Sequence, residues 1–371
     1  MKVPLFDTAV VNEHLYGEFE AFFSKFIRSG NFILGESVQR FEKHVAEQIG
    51  CKHAIGVSSG TDALIVALGT LDIGPGDEVL CPSFTFFATA SSVARLGATP
   101  VWVDCKEADF LIDLEDAQRK VSEKTKAIIP VHLFGQSCDA EAVLGFAEKH
   151  KLFVIEDVAQ AQGALSENRQ AGSWGHMNAF SFFPTKNLGG FGDAGLVTTN
   201  DDSLAEKARY LRVHGSPVRY EHIYLGGNFR IDTLQAALLD MKLPYLPEAI
   251  RMRRENAALY LDGLKTLSDH LALPQEKPGR FHTWNQFTIR VLNGQRDHLK
   301  AYLEGQGIGC GVYYPKTLDL QSCMQGVSTD KGYPTQVARR LAGEVLSLPI
   351  FPGLSADQIA YVCETMAKFF A

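Results

Sequence analysis

Residues 53–72, HAIGVSSGTDALIVALGTLD, join a short strand-like run to a longer helical one. The run HAIGV is apolar and brief, as a buried strand would be. The small and polar residues 58–62 follow, and a helix is expected to begin among them. The stretch therefore predicts a strand that passes directly into a helix, the basic unit of an α/β fold.

The same alternation continues to about residue 200. Nearly continuous apolar runs of this length are typical of strands buried on both faces of a parallel sheet. We therefore predict an α/β domain with a mostly parallel central sheet and helices on both of its faces. The further strand-like runs lie at 77–83, 99–105, 126–133, 152–158, 177–183 and 194–200, and later helices are predicted at 202–213 and 231–243.

A second α/β pattern begins near residue 268, after a long helical connector at 244–265. We place the boundary near residue 245, which predicts a large domain of residues 1–245 and a smaller C-terminal domain of residues 246–371. Its predicted elements are strands at 284–291 and 308–314 and helices at 295–307, 335–346 and 355–370.

The composition indicates a folded, water-soluble protein, with 371 residues, 46% hydrophobic and 21% charged. The net charge of -7 argues against a nucleic-acid partner, which favours basic surfaces. The N-terminal residues lack the apolar core of a signal peptide, and no run approaches the ~20 apolar residues of a membrane span. Seven scattered cysteines without a CxxC pair favour free thiols in a reducing cytoplasm over disulfides or a zinc site.

The first candidate site residues follow the strand at 53–57, because ligands of open α/β sheets gather at the carboxyl ends of the strands. The segment Ser58-Ser59-Gly60-Thr61-Asp62 begins a helix, whose free N–H groups and positive dipole end attract phosphate. An N-cap without any ligand explains the same residues equally simply. The GxGxxG and GxxxxGK[ST] spacings of dinucleotide and P-loop sites are absent.

An acid and an amine follow the fourth and fifth strand-like runs after residues 53–57. Asp157 follows the stretch LFVIE at 152–156, where a carboxylate needs a positive partner such as a protonated heterocycle, an arginine or a metal. Lys186 lies in FSFFPTKNLGGFG, residues 180–192, and is either a solvated loop lysine or a desolvated amine that bonds to a carbonyl. Ser181 adds a hydroxyl for an anion. A phosphate cradle, a ring-nitrogen partner and a reactive amine are together what pyridoxal 5′-phosphate requires.

Six motifs occur in order along the chain, namely SSGTDAL (58–64), PSFTFFAT (82–89), PVHLFGQ (130–136), EDVAQAQG (156–163), FSFFPTKNLGGFGDAG (180–195) and GGNFRIDTLQAAL (226–238). Together they resemble the DegT/DnrJ/StrS family of nucleotide-sugar aminotransferases, which use pyridoxal phosphate and have the aspartate-aminotransferase fold (fold type I). The likeness runs from SGNFILGESVQRFE at residue 29 to YYPKTL near residue 316.

The resemblance implies a role for each matching residue. Lys186 would form the Schiff base, Asp157 would pair with the pyridinium nitrogen, and Gln160 would bond to the ring hydroxyl. Phe86 would stack on the pyridine ring, although a core phenylalanine is the commoner fate of such a residue. The phosphate would be held by Gly60, Thr61, Asp62 and Ser181.

Asn228, in GGNFR, matches an asparagine that family members extend into the neighbouring subunit's active site. The resemblance therefore implies a homodimer with composite sites. A turn residue after Gly226 and Gly227 is the alternative interpretation of Asn228.

The implied reaction moves an amino group from L-glutamate to a keto-sugar linked to UDP or dTDP. The motif around Lys186 is similar to members that aminate C-3 of a 3-keto sugar, for surface polysaccharide, lipid A or natural products. Such relatives often have HYP where this chain has Tyr313-Tyr314-Pro315. Phe183, Tyr313 and Tyr314 are therefore candidate sugar contacts. Arg230 would meet a substrate carboxylate or phosphate, or else form a structural ion pair with Asp232 or Asp240.

Other activities within and beyond the family stay open. A C-4 aminotransferase and a keto-cyclitol aminotransferase would use the same cofactor residues. Sugar dehydratases of the family have histidine in place of the Schiff-base lysine, so Lys186 argues against that activity. A protein that binds the cofactor for regulation without catalysis is the remaining alternative, and retention of Lys186, Asp157, Gln160 and Ser181 together argues against it.

Overall fold

The computed structural model describes all 371 residues of the chain. The helices are α1 (Thr8–Asn12), α2 (Tyr16–Ser29), α3 (Glu36–Ile49), α4 (Gly60–Thr70), α5 (Ala88–Arg95), α6 (Leu114–Lys120), α7 (Ala140–His150), α8 (Asp202–Leu211), α9 (Thr233–Lys242), α10 (Leu246–Leu264), α11 (Arg296–Gly305), α12 (Gln336–Glu344) and α13 (Ala356–Phe370). The strands are β1 (His53–Val57), β2 (Glu78–Pro82), β3 (Thr99–Val103), β4 (Thr125–Ile128), β5 (Phe153–Asp157), β6 (Leu165–Ser166), β7 (Arg169–Gln170), β8 (Met177–Ser181), β9 (Gly195–Thr199), β10 (Leu271–Ala272), β11 (Arg280–Phe281), β12 (Phe287–Val291) and β13 (Val345–Leu348).

The large domain is built on a seven-stranded sheet in the order β1-β9-β8-β5-β4-β2-β3. Only β9 opposes its neighbours, because it pairs antiparallel with both β1 and β8 while every other pair is parallel. The strand residues are almost all buried, as expected where helices cover both faces of a sheet. The predicted mostly parallel α/β fold is confirmed.

A smaller unit is formed by the three-stranded sheet β10-β12-β13 together with α10, α11 and α13. Tyr260 of α10 stacks on Phe287 of β12 with ring centroids 4.9 Å apart, and both rings are fully buried. Aromatic pairs of this kind contribute about 0.5–1.5 kcal/mol beyond their buried area. Packing of α10 and α13 against this sheet encloses the second hydrophobic core.

Two segments cross the predicted division between residues 1–245 and 246–371. At the N-terminus, Val3 pairs with Ile308 and is buried in the core of the smaller unit. Residues 317–345 return to the large domain, where Thr329 pairs with Val101 of the edge strand β3. The carboxylate of Asp104 also accepts from the backbone N–H groups of Val337 and Ala338, at 2.9 and 2.8 Å. An open sheet edge with unpaired backbone groups explains why a distant segment covers β3.

The region 308–314 forms only isolated bridges, so the prediction of a strand there is wrong. The strand that pairs with β12 is β13, at Val345–Leu348, which overlaps the end of the helix predicted at 335–346. Gly311 lies beside Ser347 of β13, and a Cβ on Gly311 would come within 2.9 Å of the Tyr313 ring. No helix in the structure has both the length and the apolar character needed to span a lipid bilayer.

Candidate active site

A cavity of about 490 Å³ opens where β5 and β8 end and α4 begins. Its position agrees with the general location of ligand sites in open α/β sheets. Ten of the predicted site residues line it together, namely Gly60, Thr61, Phe86, Asp157, Gln160, Ser181, Phe183, Lys186, Tyr313 and Tyr314.

Lys186 is a desolvated amine and not a solvated loop lysine. Burial of its side chain lowers the pKa of the ammonium to about 8, while the charge of Asp157 acts in the opposite direction. A pKa near neutrality leaves a useful fraction of the amine unprotonated, and only that form attacks a carbonyl carbon. Lys186 therefore has the chemistry required of a residue that bonds to an aldehyde.

Asp157 is a buried carboxylate whose own contacts only partly compensate its charge. Oδ2 accepts from the hydroxyl of Thr89 at 2.9 Å, and Oδ1 accepts from the backbone N–H of Ala159 at 3.1 Å. Burial nevertheless raises the pKa of Asp157, against the lowering effects of these bonds and of Lys186. A protonated ring nitrogen in the cavity would supply the missing positive charge.

Beneath Asp157, a fully buried pair fixes the end of β5. His132 Nδ1 accepts from the backbone N–H of Cys138 at 3.0 Å, so Nε2 carries the proton and donates to Glu156 Oε2 at 2.9 Å. Glu156 also accepts from three backbone N–H groups of the turn at 172–175. These bonds hold the backbone beside Asp157, and so they set where its carboxylate points.

Gln160 connects the cavity to two other parts of the chain. Its Oε1 accepts from the backbone N–H of Phe134 at 2.7 Å, and its Nε2 donates to the Tyr314 hydroxyl at 3.0 Å. The second Nε2 hydrogen has no partner within the chain, which leaves one donor for a ring hydroxyl in the cavity.

The first turn of α4 packs closely against Ser181 at the end of β8. A Cβ added to Gly60 would lie 2.7 Å from the Ser181 Cβ, so only glycine permits this approach. The two backbones converge on one wall of the cavity, where free N–H groups at the start of α4 and the Ser181 hydroxyl can hold a phosphate.

Asp62 is arranged differently from the other predicted phosphate contacts. Its backbone N–H donates to the Ser59 hydroxyl at 3.1 Å, and its carboxylate accepts from the hydroxyls of Ser58 and Ser59. Asp62 does not line the cavity. Its observed contacts are those of a first-turn residue that bonds to the N-cap Ser59, which is the N-cap alternative that the sequence left open.

Phe86 is not a core residue, because 58% of it is exposed and its ring lies on the cavity wall. Its centroid is 6.1 Å from that of Tyr314. An aromatic face held open to a cavity is suited to stacking on a flat heterocycle.

Asn228 and Arg230 do not line the cavity of their own chain. Asn228 forms an isolated antiparallel bridge with Val213, so its backbone pairs with another segment and does not form a turn. The ion pair considered for Arg230 is absent, since Asp240 pairs with Arg40 and His44 at 2.6 and 2.7 Å, and no acid lies within 4.0 Å of Arg230. Its buried Nε has no hydrogen-bond partner.

Sequence reasoning missed several polar residues of the site. Thr89 bonds directly to Asp157, and Thr85 and Thr89 bond to each other at 3.2 Å. Their four-residue spacing between apolar neighbours was the available signal. Thr185, Asp193 and Gln286 also line the cavity. Gln286 arrives from the smaller unit, and no local pattern marks it.

Comparison with known proteins identifies the fold and its chemistry. The sequence model of the DegT/DnrJ/EryC1/StrS aminotransferase family matches residues 14–367. The chain belongs to this family. It is a pyridoxal-phosphate-dependent sugar aminotransferase, and the residues around the cavity fit the cofactor, because an under-compensated carboxylate, a desolvated amine and a narrow glycine-lined wall surround one space.

Three known proteins show how similar this chain is in sequence and structure to other proteins. A Geobacillus stearothermophilus "Pleiotropic regulatory protein" is 46% identical, over 100% of this chain and 99% of its own. The Acidithiobacillus ferrooxidans UDP-N-acetyl-3-dehydro-alpha-D-glucosamine 3-aminotransferase is 41% identical, over 99% and 97%. The crystal structure of Streptomyces venezuelae DesV with a ketimine intermediate superposes with a TM-score of 0.95 at 38% identity, over 99% and 98%. This aminotransferase therefore has the same fold as that enzyme along nearly its entire length.

Proposed function

We propose that the enzyme transfers the amino group of L-glutamate to C-3 of a 3-keto sugar linked to UDP or dTDP. The product would be a 3-amino sugar, made in the cytoplasm for surface polysaccharide, lipid A or natural products. The observation that carries the proposal is the convergence of Lys186, Asp157 and the Gly60–Ser181 wall on one cavity. The 3-aminotransferase activity in the name of the Acidithiobacillus relative supports the choice of C-3.

Asp157 and Lys186 would have separate roles in the reaction at the cofactor. When bound, pyridoxal phosphate supplies an electron sink for the carbon that loses a proton. The carboxylate of Asp157 keeps the ring nitrogen protonated, which maintains that sink. Lys186 Nζ would take the proton from the α-carbon of glutamate and return it on the cofactor side. Because burial lowers the pKa of this amine to about 8, it could both accept and donate that proton near neutral pH.

We also propose that the enzyme acts as a homodimer with composite sites. Lys186 is the one cationic side chain that lines the cavity, yet the cofactor phosphate and a nucleotide diphosphate are both anionic. Arg230, without an acidic partner, and Asn228 lie outside their own cavity. They follow a segment with exposed apolar residues, among them Val218, Tyr220 and Ile223. A second copy of the chain would cover this surface and receive Asn228 and Arg230 in its own site.

Mixing two inactive variants tests the composite site. We expect Asn228→Ala to bind the cofactor more weakly and Lys186→Ala to be inactive. Random re-assortment of the two should restore activity to about one quarter of the wild-type sites, because each mixed dimer contains one site with both native residues. Activity of the re-assorted mixture is the measurement.

The matched control mixes Lys186→Ala with a chain that carries both substitutions, in which no site contains Lys186. This control should stay inactive. A failure of every mixing ratio of the single variants to recover activity would show that Asn228 does not act across a dimer.

A difference-spectrum screen tests the substrate. UDP- and dTDP-linked 3-amino sugars, added to the cofactor-loaded enzyme, should convert it to the pyridoxamine form with loss of the visible band of the Lys186-linked cofactor. The 4-amino isomers and an aminocyclitol serve as matched comparisons. A response restricted to the 4-amino sugars would replace the C-3 assignment, and a response restricted to the aminocyclitol would replace the nucleotide sugar.

A regulatory protein that binds the cofactor is the second candidate, because the 46% identical relative is named for regulation. Turnover separates the two. A regulator would bind the cofactor at Lys186 and yet show no conversion with glutamate or with any amino sugar.

A further inference from the structure

The glycine-rich loop that carries Lys186 is held from behind by two side chains of α9. Gln235 Oε1 accepts from the backbone N–H of Phe191 at 2.9 Å, and Lys242 Nζ donates to the carbonyl of Gly189. The two residues lie seven positions apart, which places them on the same face of a helix. Neither side chain lines the active-site cavity.

Residues 182–190 of this loop are joined by short backbone hydrogen bonds, so a displacement at Gly189 would also move Lys186. Lys186 N–H donates to Phe183 O at 2.8 Å, and Gly190 N–H donates to Phe182 O at 2.7 Å. A Cβ on Gly189 would lie 2.2 Å from Pro184 O, so the backbone folds back on itself with no room for a side chain. The carbonyl that Lys242 holds is three residues from Lys186 and inside the same closed turn.

A buried lysine destabilises a fold unless its charge is compensated, so filling space does not explain Lys242. Its side chain is 91% buried, with no carboxylate within 4.0 Å, and its ammonium lies 5.6 Å from the centroid of Phe191. Its single hydrogen-bond acceptor in the chain is the Gly189 carbonyl. Apolar residues of similar volume often stabilise a fold more than a buried charge does, so the observed contact, and not stability, accounts for a lysine here.

The contact between Lys242 and the loop is a hydrogen bond to the backbone carbonyl of Gly189. Burial lowers the pKa of the Lys186 amine, and the charge of Asp157 raises it. Lys242 therefore reaches Lys186 through the backbone of the loop, three residues away.

We propose that Lys242, together with Gln235, is a positioning residue that fixes the loop so that Lys186 Nζ reaches both the cofactor and the donor carbon. This proposal rests on Lys186 as the residue of attachment. In enzymes, a displacement of about 1 Å at a reacting group costs on the order of 10²-fold in rate. Loss of either contact between α9 and the loop would allow Lys186 Nζ to shift by such a distance while the cofactor stays bound.

The test is Lys242→Met, which keeps the length and apolar stem of the side chain but removes the donor. We expect kcat to fall about 10- to 100-fold with a small change in KM, and the pH at which the visible band of the bound cofactor titrates to shift. The melting temperature of the cofactor-free protein should stay equal to that of wild type or rise, because a buried charge has been removed. Lys368→Met, at an exposed position of α13, is the matched control.

A second pair of variants tests the other contact, between Gln235 and the backbone N–H of Phe191. Gln235→Glu retains an oxygen that accepts from Phe191 N–H and should keep most of the activity, whereas Gln235→Leu should behave like Lys242→Met. Wild-type kcat and an unshifted titration in both Lys242→Met and Gln235→Leu would overturn the proposal. So would a loss of activity matched by an equal loss of stability, since that is the signature of a structural role.

Borohydride reduction of the wild-type enzyme, followed by peptide mapping, separates this proposal from the assignment beneath it. If the cofactor is fixed on a lysine other than Lys186, the assignment of Lys186 fails. If it is fixed on Lys186 but the α9 variants behave as wild type, only the role of Lys242 and Gln235 fails.

Discussion

The Lys186→Ala variant should be purified without covalently held cofactor and should turn over glutamate at least about 10⁴-fold more slowly than wild type. The variant loses the nucleophile that bonds to the aldehyde and the base that moves the proton to C4′, and no other lysine or histidine lines the cavity. Single-turnover rates with glutamate, and the visible spectrum of the bound cofactor, are the measurements.

The fold should survive this change, because the partly exposed Lys186 side chain lines the cavity and its amine forms no ion pair within 4.0 Å that its removal would break. Circular dichroism and the melting temperature check this. Lys368→Ala, at an exposed position, controls for the loss of a lysine elsewhere. Turnover in Lys186→Ala within about tenfold of wild type would exclude the proposed proton transfer.

Asp157→Asn should reduce kcat by about 10²- to 10³-fold, the usual effect of removing one preorganised electrostatic contact. The asparagine has nearly the same shape: its Oδ1 can accept from the Ala159 N–H and its Nδ2 can donate to the Thr89 hydroxyl, but it has no charge with which to keep the ring nitrogen protonated. Cofactor should still bind through Lys186 and the phosphate wall. The loss is therefore expected in the proton-transfer step, measured by single-turnover kinetics with deuterated glutamate.

Asp109→Asn is the matched control for this variant. Asp109 is also an acid whose pKa is raised by burial, and its carboxylate accepts from the backbone N–H of Leu111, yet it lies outside the active-site cavity. Its substitution should leave kcat unchanged. If Asp157→Asn retained wild-type kcat, the pairing of Asp157 with the ring nitrogen would have to be abandoned.

The sequence predicted those parts of the site that local patterns mark. Asp157 is the last residue of a strand, and the Gly60 turn and the Lys186 loop each follow one, and the carboxyl ends of parallel strands meet at the same edge of the sheet. The chemistry of the cofactor then linked these three positions before any distance was known. The family assignment, the fold and the cofactor are confirmed, while the roles of individual residues stay predictions for the variants above.

The parts that sequence reasoning missed depend on contacts between distant segments. Gln286 reaches the cavity only because the smaller unit packs against the large domain. The strand predicted at 308–314 failed because an apolar, glycine-containing run satisfies the strand pattern whether or not it finds a partner along its length. The strand that pairs with β12 in this region is β13, although its residues also continue the hydrophobic pattern of the preceding helix.

The covering of β3 by residues near 329 has a consequence for how the chain is made. The carboxylate of Asp104 bonds to the backbone of Val337, 233 residues later. During synthesis the large sheet therefore emerges with an open edge and waits for most of the remaining chain before that edge is closed. Late closure of long-range contacts slows folding and leaves a strand exposed to wrong pairing. The β3 edge of the growing polypeptide should consequently stay open to wrong pairing until residues 329–338 have left the ribosome.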